Sequence, residues 1–129
     1  MTLSRVLMPL LLIGAPLLMI GGAGFAAAEH ASFSKEILPI LSKNCSECHV
    51  PGNEGYEKSG LDLSSYEGVM KGTKFGPVVV PGDSFSSNLS VLIEGRADPR
   101  IKMPHLRHEM TKWEKHMIRA WINKGAANN

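Results

Sequence analysis

Apolar residues recur with the spacing of an α-helix at two places in the sequence, and the first place is residues 31–44. One face of this predicted helix carries four apolar side chains, those of Phe33, Ile37, Ile40 and Leu41. Ser32 or Ser34 can cap its first turn. Pro39 lacks the backbone donor that a helix interior needs, so it either kinks the helix or marks where the regular helix begins. We expect the helix to continue through Cys48.

The second place is residues 112–124, the best-defined helix that the pattern predicts. Thr111 and Glu114 form a capping box, and Gly125 is a typical C-terminal stop. One face carries four apolar residues and two isoleucines lie beside it, in the order Trp113, Met117, Ile118, Ala120, Trp121 and Ile122. This amphipathic pattern predicts a helix that packs against the core.

Between these helices, glycine, proline and polar residues interrupt the apolar pattern. Residues 50–60 are predicted to form a loop, after which two side chains press onto the core, those of Leu61 and Leu63. A second capping box begins at Ser64 and predicts a short helix over residues 65–71. Gly72 is suited to end this helix.

Residues 78–80 are three valines, but a proline on each side and the lack of a pairing partner predict an extended loop. A further short helix is predicted from Ser87 or Asn88 to near Gly95, and residues 98–109 are predicted to form a polar loop. The sequence contains no repeat and no dependable strand. The pattern therefore predicts an all-α fold, with helices at both ends, short helices between them and long loops.

The N-terminal segment has the pattern of an export signal. Arg5 is its single charged residue, and an apolar run of fifteen residues follows, with three alanines near the end that offer a cleavage site. We predict a Sec-type signal peptide over residues 1–28 and one domain over residues 29–129, exported to the periplasm. The alternative is an uncleaved membrane anchor over residues 6–28, which are long enough to span a bilayer.

Composition narrows the class of protein. A chain of 129 residues predicts one domain, and a formal net charge of +2 gives no support to a nucleic-acid partner. Aromatic residues make up 6% of the chain, so the core that protein alone can build is thin. A covalently held apolar cofactor would fill such a core, as metals and disulfides do in other small domains.

The chain has two cysteines, and they form the pattern C-x-x-C-H at residues 45–49. Two thiols three positions apart can add to the two vinyl groups on one edge of a haem, and the histidine that follows can bond the iron. The motif therefore predicts one covalently attached haem c, held by Cys45 and Cys48, with His49 as an iron ligand.

Three other interpretations of the cysteine pair stay open at this point. A thiol redox site needs a βαβ frame, which the pattern does not predict. A zinc site needs two more ligands, for which His105 and His108 are the candidates. A structural disulfide would close a very short loop and so contribute little.

A haem bound by His49 has a second axial position that another residue can fill. Three methionines fall in or beside predicted helices and are expected to pack in the core: Met70, Met110 and Met117. Met103 lies instead in a polar loop, and Pro104 biases it toward an extended backbone that can aim its side chain inward. We predict Met103 as the second ligand. His105 or His108 would give a bis-His iron, and an open position is the third alternative.

A thioether ligand favours ferrous iron and raises the reduction potential. An iron with His49 and Met103 as ligands has no open position for oxygen, peroxide or a substrate. These residues therefore predict an electron carrier and not an enzyme. The alternatives are a haem enzyme or sensor with a bis-His or open distal site, and a haem-free thiol or zinc protein.

The chain resembles the single-haem class I c-type cytochromes, and in particular the planctomycete-type cytochrome c domains. The resemblance extends from Phe33 to Ala126, and it rests on segments in the family's order: Ile-Leu-Pro-Ile-Leu at 37–41, C-x-x-C-H at 45–49, Gly-Leu-Asp-Leu-Ser at 60–64, Val-Pro-Gly at 80–82, Lys-Met-Pro at 102–104 and Trp-Ile-x-x-Gly-Ala at 121–126. The chain departs from the family at His105, where a second proline is common.

The resemblance implies a small class I cytochrome c fold, in which three to five helices and long loops wrap around one covalently bound haem. It implies that Cys45 and Cys48 hold the haem, that His49 is the proximal iron ligand and that Met103 is the distal one. It also implies redox partner proteins in place of a small-molecule substrate.

Charge is distributed unevenly along the chain. Residues 29–95 carry five Lys and Arg against nine Asp and Glu, whereas residues 96–119 carry seven against three. If the loop of Met103 lies near the haem edge, that edge is basic and favours an acidic redox partner. The alternative is a mixed-charge surface, or cations that pair with haem propionates. Membrane contact is expected only if residues 6–28 stay attached.

Overall fold

Residues 31–129 are described by a computed structural model, and in them five α-helices are joined by loops. The predicted signal peptide lies outside the described residues. The elements in chain order are a π-helical turn Phe33–Ile37, α1 Leu38–Asn44, α2 Glu54–Ser59, α3 Tyr66–Lys71, α4 Asn88–Ile93, a 3₁₀ helix Pro99–Ile101 and α5 Lys112–Asn123. Within this range there is no β-strand beyond one isolated bridge between Thr73 and Gly76, so the all-α prediction is confirmed.

The first predicted helix has two parts that meet at Pro39. The turn Phe33–Ile37 is wound as a π-helix, and the Ser32 hydroxyl accepts a hydrogen bond from a backbone N–H in its first turn. Regular α-helix begins at Leu38, which places Pro39 in the first turn, where no backbone donor is required. The structure therefore confirms the second interpretation of Pro39, as the start of the regular helix.

An aromatic cluster joins the two ends of the described chain. The ring centroid of Phe33 lies 5.2 Å from that of Tyr66 and 5.4 Å from that of Trp121. The Tyr66 hydroxyl and the Trp121 indole N–H donate to the backbone carbonyls of Ala126 and Ala127, both at 2.9 Å. Each aromatic pair of this kind contributes about 0.5–1.5 kcal/mol beyond the burial of its surface, so the cluster fixes α5 against the N-terminal turn.

Helix α5 begins at the predicted capping box, and its buried face differs from the prediction at one position. The hydroxyl of Thr111 accepts the N–H of Glu114, and the Glu114 carboxylate accepts the N–H of Thr111. Trp113 is 55% exposed, so its assignment to the core face is wrong. Glu114 is buried in its place, because its carboxylate also accepts hydrogen bonds from Lys43 and Asn44 of α1.

Helix α2 lies inside residues 50–60, which the sequence predicted to be a loop, so that prediction is wrong. Asn53 stands at the N-cap, Glu54 and Lys58 pair at 2.5 Å across one turn, and Gly60 ends the helix with φ +74°. These are ordinary helix signals. They were outweighed by glycine content and by the absence of an apolar stripe, since no residue of α2 is buried.

The other short elements follow the prediction closely. Helix α3 ends at Gly72 as expected, but the predicted capping box at Ser64 is wrong. Ser65 is the N-cap and accepts the N–H of Gly68, because the backbone and hydroxyl of Ser64 donate to Asp62. Helix α4 begins after Ser87, and residues 78–80 form the predicted extended loop. No helix in residues 31–129 is both long and apolar enough to cross a membrane.

Candidate functional site

Helix α1 delivers the chain to the C-x-x-C-H motif and ends immediately before it. The Leu41 carbonyl accepts the N–H groups of both Cys45 and Ser46, at 2.8 and 3.2 Å, so the last turn widens and the chain leaves the helix after Asn44. The expectation that the helix continues through Cys48 is therefore wrong. The two cysteines lie instead on a separate turn that begins at the C-cap of α1.

This turn, residues 45–49, is held by backbone hydrogen bonds on two sides. The Cys45 carbonyl accepts the N–H groups of Cys48 and His49, at 3.1 and 3.0 Å. The Cys48 carbonyl accepts the N–H of Tyr56 in α2 at 2.9 Å, and the His49 carbonyl accepts the N–H of Leu63 at 2.8 Å. We call residues 45–49 the attachment turn. Its backbone is fixed by α2 and by the segment that carries the two buried leucines.

The two thiols of the attachment turn are free and differ in burial. Cys45 is partly buried against the hydrophobic core, and Cys48 is exposed. Burial, with a smaller contribution from the Glu114 carboxylate, raises the pKa of the Cys45 thiol to about 12. A thiol of such high pKa is neutral at physiological pH.

The zinc and thiol redox interpretations lose support from this geometry. Residues 31–129 contain no group of three or more His, Cys, Asp or Glu side chains placed to hold a metal ion. His105 and His108 are both exposed on the loop after the 3₁₀ helix. The described chain also lacks the βαβ frame of a thioredoxin-like site.

His49 is partly buried, and its ring has a well-defined environment. Burial lowers the pKa of the imidazole, and the backbone of Leu61 lies close enough to oppose that shift, although no hydrogen bond of normal geometry reaches the buried Nδ1. The neutral imidazole is the form that binds metals. A partly buried imidazole that is kept neutral in this way suits a side chain that serves as an iron ligand.

Gly55 lets α2 approach the His49 ring, which the sequence did not reveal. A Cβ atom at position 55 would lie 2.8 Å from the Cys48 carbonyl oxygen and 3.0 Å from Cε1 of His49. Contacts this short require a shift of the backbone or of the ring. In the sequence, this glycine indicated only a loop, because its role depends on how α2 packs against the attachment turn.

Met103 lies in the loop after the 3₁₀ helix, with its side chain turned toward the core. It is partly buried against the same core cluster as Cys45. Its backbone N–H donates to the Leu92 carbonyl of α4 at 3.2 Å, and the peptide bond to Pro104 is cis. His105 next in sequence is exposed. This difference in burial favours Met103 over His105, and the distal ligand stays a prediction.

The other methionines of the described chain behave as predicted. Met110 is 3% exposed and Met117 is 1% exposed, so both are enclosed in the core. Met70 in α3 is partly buried and packs against that core.

Large apolar side chains are exposed around the loop of Met103. Leu106 in this loop is 93% exposed, and Ile101, two residues before Met103, is 51% exposed. Such surface is unfavourable in water, and it suits contact with an apolar group. With two thiols on one turn, a neutral imidazole and a partly buried thioether, the residues present fit a haem.

The comparison with protein families agrees with this chemistry. Residues 45–105 match the model of a family described as Planctomycete cytochrome C. No curated protein and no solved structure matches the chain. The matched segment begins at Cys45 and includes both His49 and Met103, whereas the resemblance noted in the sequence extends further on each side.

Proposed function

Since the chain contains a planctomycete-type cytochrome c domain, we propose that it is an exported electron carrier with one covalent haem c, whose iron is bound by His49 and Met103. The observation that carries the proposal is the placement of Met103, which is partly buried against the same core as Cys45, while His105 is exposed. A domain of this family binds haem and transfers electrons.

Each of four side chains has a distinct role in the proposal. Cys45 and Cys48 would hold the cofactor through thioether bonds, and His49 and Met103 would bind its iron. Haem c, when bound, supplies an iron that alternates between the ferrous and ferric states. The Met103 thioether favours the ferrous state and so raises the reduction potential. With both residues bound, the iron would have no open position for a substrate, which supports a carrier and not an enzyme.

The absorption spectrum of the exported protein tests this proposal. The protein is expressed in a host with haem-attachment machinery, and spectra are recorded oxidised, reduced and after acid–acetone extraction. We expect the haem to stay with the protein through extraction, and the oxidised form to show the weak far-red band of a methionine–iron bond. Covalent haem without that band would contradict Met103 as the ligand, and a protein without haem would contradict the whole proposal.

Export is the second part of the proposal, and the N-terminal sequence supports it. The apolar run after Arg5 and the alanines before Glu29 are typical of a cleaved signal peptide. We propose cleavage after Ala28, which leaves a periplasmic domain over residues 29–129. The intact mass of the protein used for the spectra checks the cleavage site, and a mass that includes residues 1–28 would indicate a membrane-anchored form.

Redox partner proteins are the third part. Six of the seven Lys and Arg residues in residues 96–119 form ion pairs with carboxylates of the described chain. These pairs partly neutralise the positive charge of that segment. An acidic partner is still the expectation from the uneven distribution of charge along the chain.

We expect the rate of electron exchange with an acidic redox protein to fall as ionic strength rises, because salt screens attraction between exposed charges. The measurement is a stopped-flow rate at a series of salt concentrations, with a neutral small-molecule oxidant as the control. A rate that stays constant from low to high salt would exclude the acidic partner.

A further inference from the structure

The loop that carries Met103 is closed at its base. We call residues 102–109 the distal loop. Lys102 and Glu109, its first and last residues, pair at 3.2 Å, and Glu109 also pairs with Lys115 of α5 at 2.5 Å. Together with the hydrogen bond from Met103 to Leu92, these contacts anchor the base of the loop to α4 and α5.

A different contact holds the far end of the distal loop. The Arg107 guanidinium forms an ion pair and hydrogen bond with the carboxylate of Glu47, which lies between the two cysteines of the attachment turn. Among the hydrogen bonds and ion pairs of residues 31–129, this is the one that joins the distal loop to the attachment turn. The side chain of Arg107 is 35% exposed and that of Glu47 is 72% exposed.

The segment between Met103 and Arg107 contains an unfavourable backbone conformation, which a contact such as the Arg107–Glu47 pair can hold in place. Leu106 has φ +55°, a backbone conformation that L-residues other than glycine, asparagine and aspartate rarely adopt. Its side chain is 93% exposed, so no packing compensates for that conformation. Unfavourable backbone conformations persist where the surrounding structure holds them. In this loop the ion pair of Arg107 is the polar contact that directly follows the strained residue.

We propose that Arg107 and Glu47 are positioning residues that hold the distal loop against the attachment turn and so keep the Met103 thioether at the iron. This inference rests on the proposed function, because it assumes that Met103 is a ligand. Neither residue touches the iron in this proposal. Each limits how often the loop moves away, and with it the fraction of time for which the distal position is open to another ligand.

Loss of this ion pair is expected to have a small effect, and the effect is expected on ligand exchange at the iron. An ion pair between exposed side chains contributes little free energy. Its loss is therefore expected to shift the equilibrium between the closed and the open loop by about two- to fivefold. The overall stability of the domain is expected to stay nearly constant, because the base of the loop is anchored separately. The effect is therefore sought in the exchange of the methionine ligand and not in unfolding.

The test compares ligand exchange in the oxidised holoprotein, with imidazole as the probe. Imidazole binds only after Met103 has left the iron, so its binding rate reports the open fraction. We expect Arg107→Gln and Glu47→Gln each to raise that rate about two- to fivefold, and Arg107→Glu to raise it further through repulsion between like charges. The double exchange Glu47→Arg with Arg107→Glu restores the pair and is expected to return the rate to near the wild-type value.

Arg100→Gln is the matched control. Arg100 lies three residues before Met103 and pairs with Asp98 at 2.8 Å within the same turn, so the substitution removes the same charge without removing a link to the attachment turn. Its rate is expected to equal that of the wild type. High salt is expected to reduce the differences between the wild type and the Arg107 and Glu47 variants.

The outcomes separate this inference from the proposed function. If the wild type shows the far-red band and the Arg107 and Glu47 variants bind imidazole at its rate, the inference is overturned and the proposed function stands. An increase in Arg100→Gln equal to that in Arg107→Gln would also overturn it, because a general effect of charge would then be the cause. If the wild type lacks the band, both proposals fail.

Discussion

Replacement of Met103 by alanine is expected to abolish the far-red band of the oxidised protein and to let the reduced protein bind carbon monoxide at once. The physical reason is that the other thioethers of residues 31–129 are held elsewhere. Those of Met110 and Met117 are enclosed in the core, at 3% and 1% exposure, and Met70 belongs to α3. The reduction potential is expected to fall, because the ligand that favours ferrous iron has been removed. Absorption spectra with and without carbon monoxide give the measurement.

Two variants serve as controls for this experiment. Met70→Ala removes the same side chain from α3, where Met70 is partly buried against the core, and is expected to keep the band. His105→Ala removes the rival ligand, which is exposed, and is also expected to keep it. A band that survives in Met103→Ala, or that is lost in His105→Ala, would place the iron ligand elsewhere.

Met103→His completes the series. A histidine at this position can restore two axial ligands without a thioether, so the far-red band is expected to stay absent while carbon monoxide binding slows again. The reduction potential is expected to lie below that of the wild type, because imidazole lacks the preference of a thioether for ferrous iron. These results would show that residue 103 itself occupies the distal position.

The sequence predicted the elements whose signals are local. The capping box at Thr111 and Glu114 and the stop at Gly72 depend on residues within one turn of each other, and both are present in the structure. The C-x-x-C-H motif and the Met-Pro pair belong to the same class of signal. The short range of these interactions explains why they can be identified without knowledge of the fold.

Some failed predictions concern local signals that competed with one another, as in α2 and at Ser64, and the others concern contacts between elements. Helix α2 carries no buried residue, so it offered no apolar stripe to detect. The helical spacing of Trp113 with Met117 and Trp121 predicts a core position, yet the register of α5 against α1 buries Glu114. Gly55 and the pair of Arg107 with Glu47 depend in the same way on segments that are distant in sequence. Such contacts cannot be inferred from spacing along one chain.

Glu114 is expected to give the largest effect on stability. Its carboxylate is buried between α1 and α5 and accepts hydrogen bonds from Lys43 at 2.9 Å, Asn44 at 3.1 Å and Thr111. Burial alone would raise the pKa of Glu114, but these donors outweigh it and lower the pKa from 4.5 to about 2. The charged carboxylate is therefore favoured in the folded state, where it is the acceptor for Lys43, Asn44 and Thr111.

Glu114→Ala is expected to lower the free energy of unfolding at pH 7 by about 3 kcal/mol. It removes the capping box, leaves Lys43 without its buried partner and leaves Asn44 with one amide hydrogen bond, to the Ile40 carbonyl, in place of two. Glu114→Gln keeps a side chain that can cap the helix and accept a hydrogen bond, so a smaller loss is expected. Guanidinium unfolding of the holoprotein, followed by circular dichroism, gives the measurement. Equal stability of all three proteins would contradict this account of Glu114.

The dependence on pH separates the charge of Glu114 from its packing. Because the pKa of Glu114 is lower in the folded state, the folded protein binds fewer protons, so this stabilisation is fully present above pH 4.5 and is lost as the pH falls toward about 2. The difference between the two pKa values corresponds to about 3 kcal/mol. The wild type is therefore expected to lose stability over that pH range more steeply than Glu114→Gln, which has no proton to gain at this site.

Glu54→Gln, which removes an exposed carboxylate paired with Lys58, is the control and is expected to keep most of the acid sensitivity of the wild type. If Glu114→Gln has the same pH dependence as the wild type, other carboxylates cause the loss in acid and the lowered pKa of Glu114 is refuted.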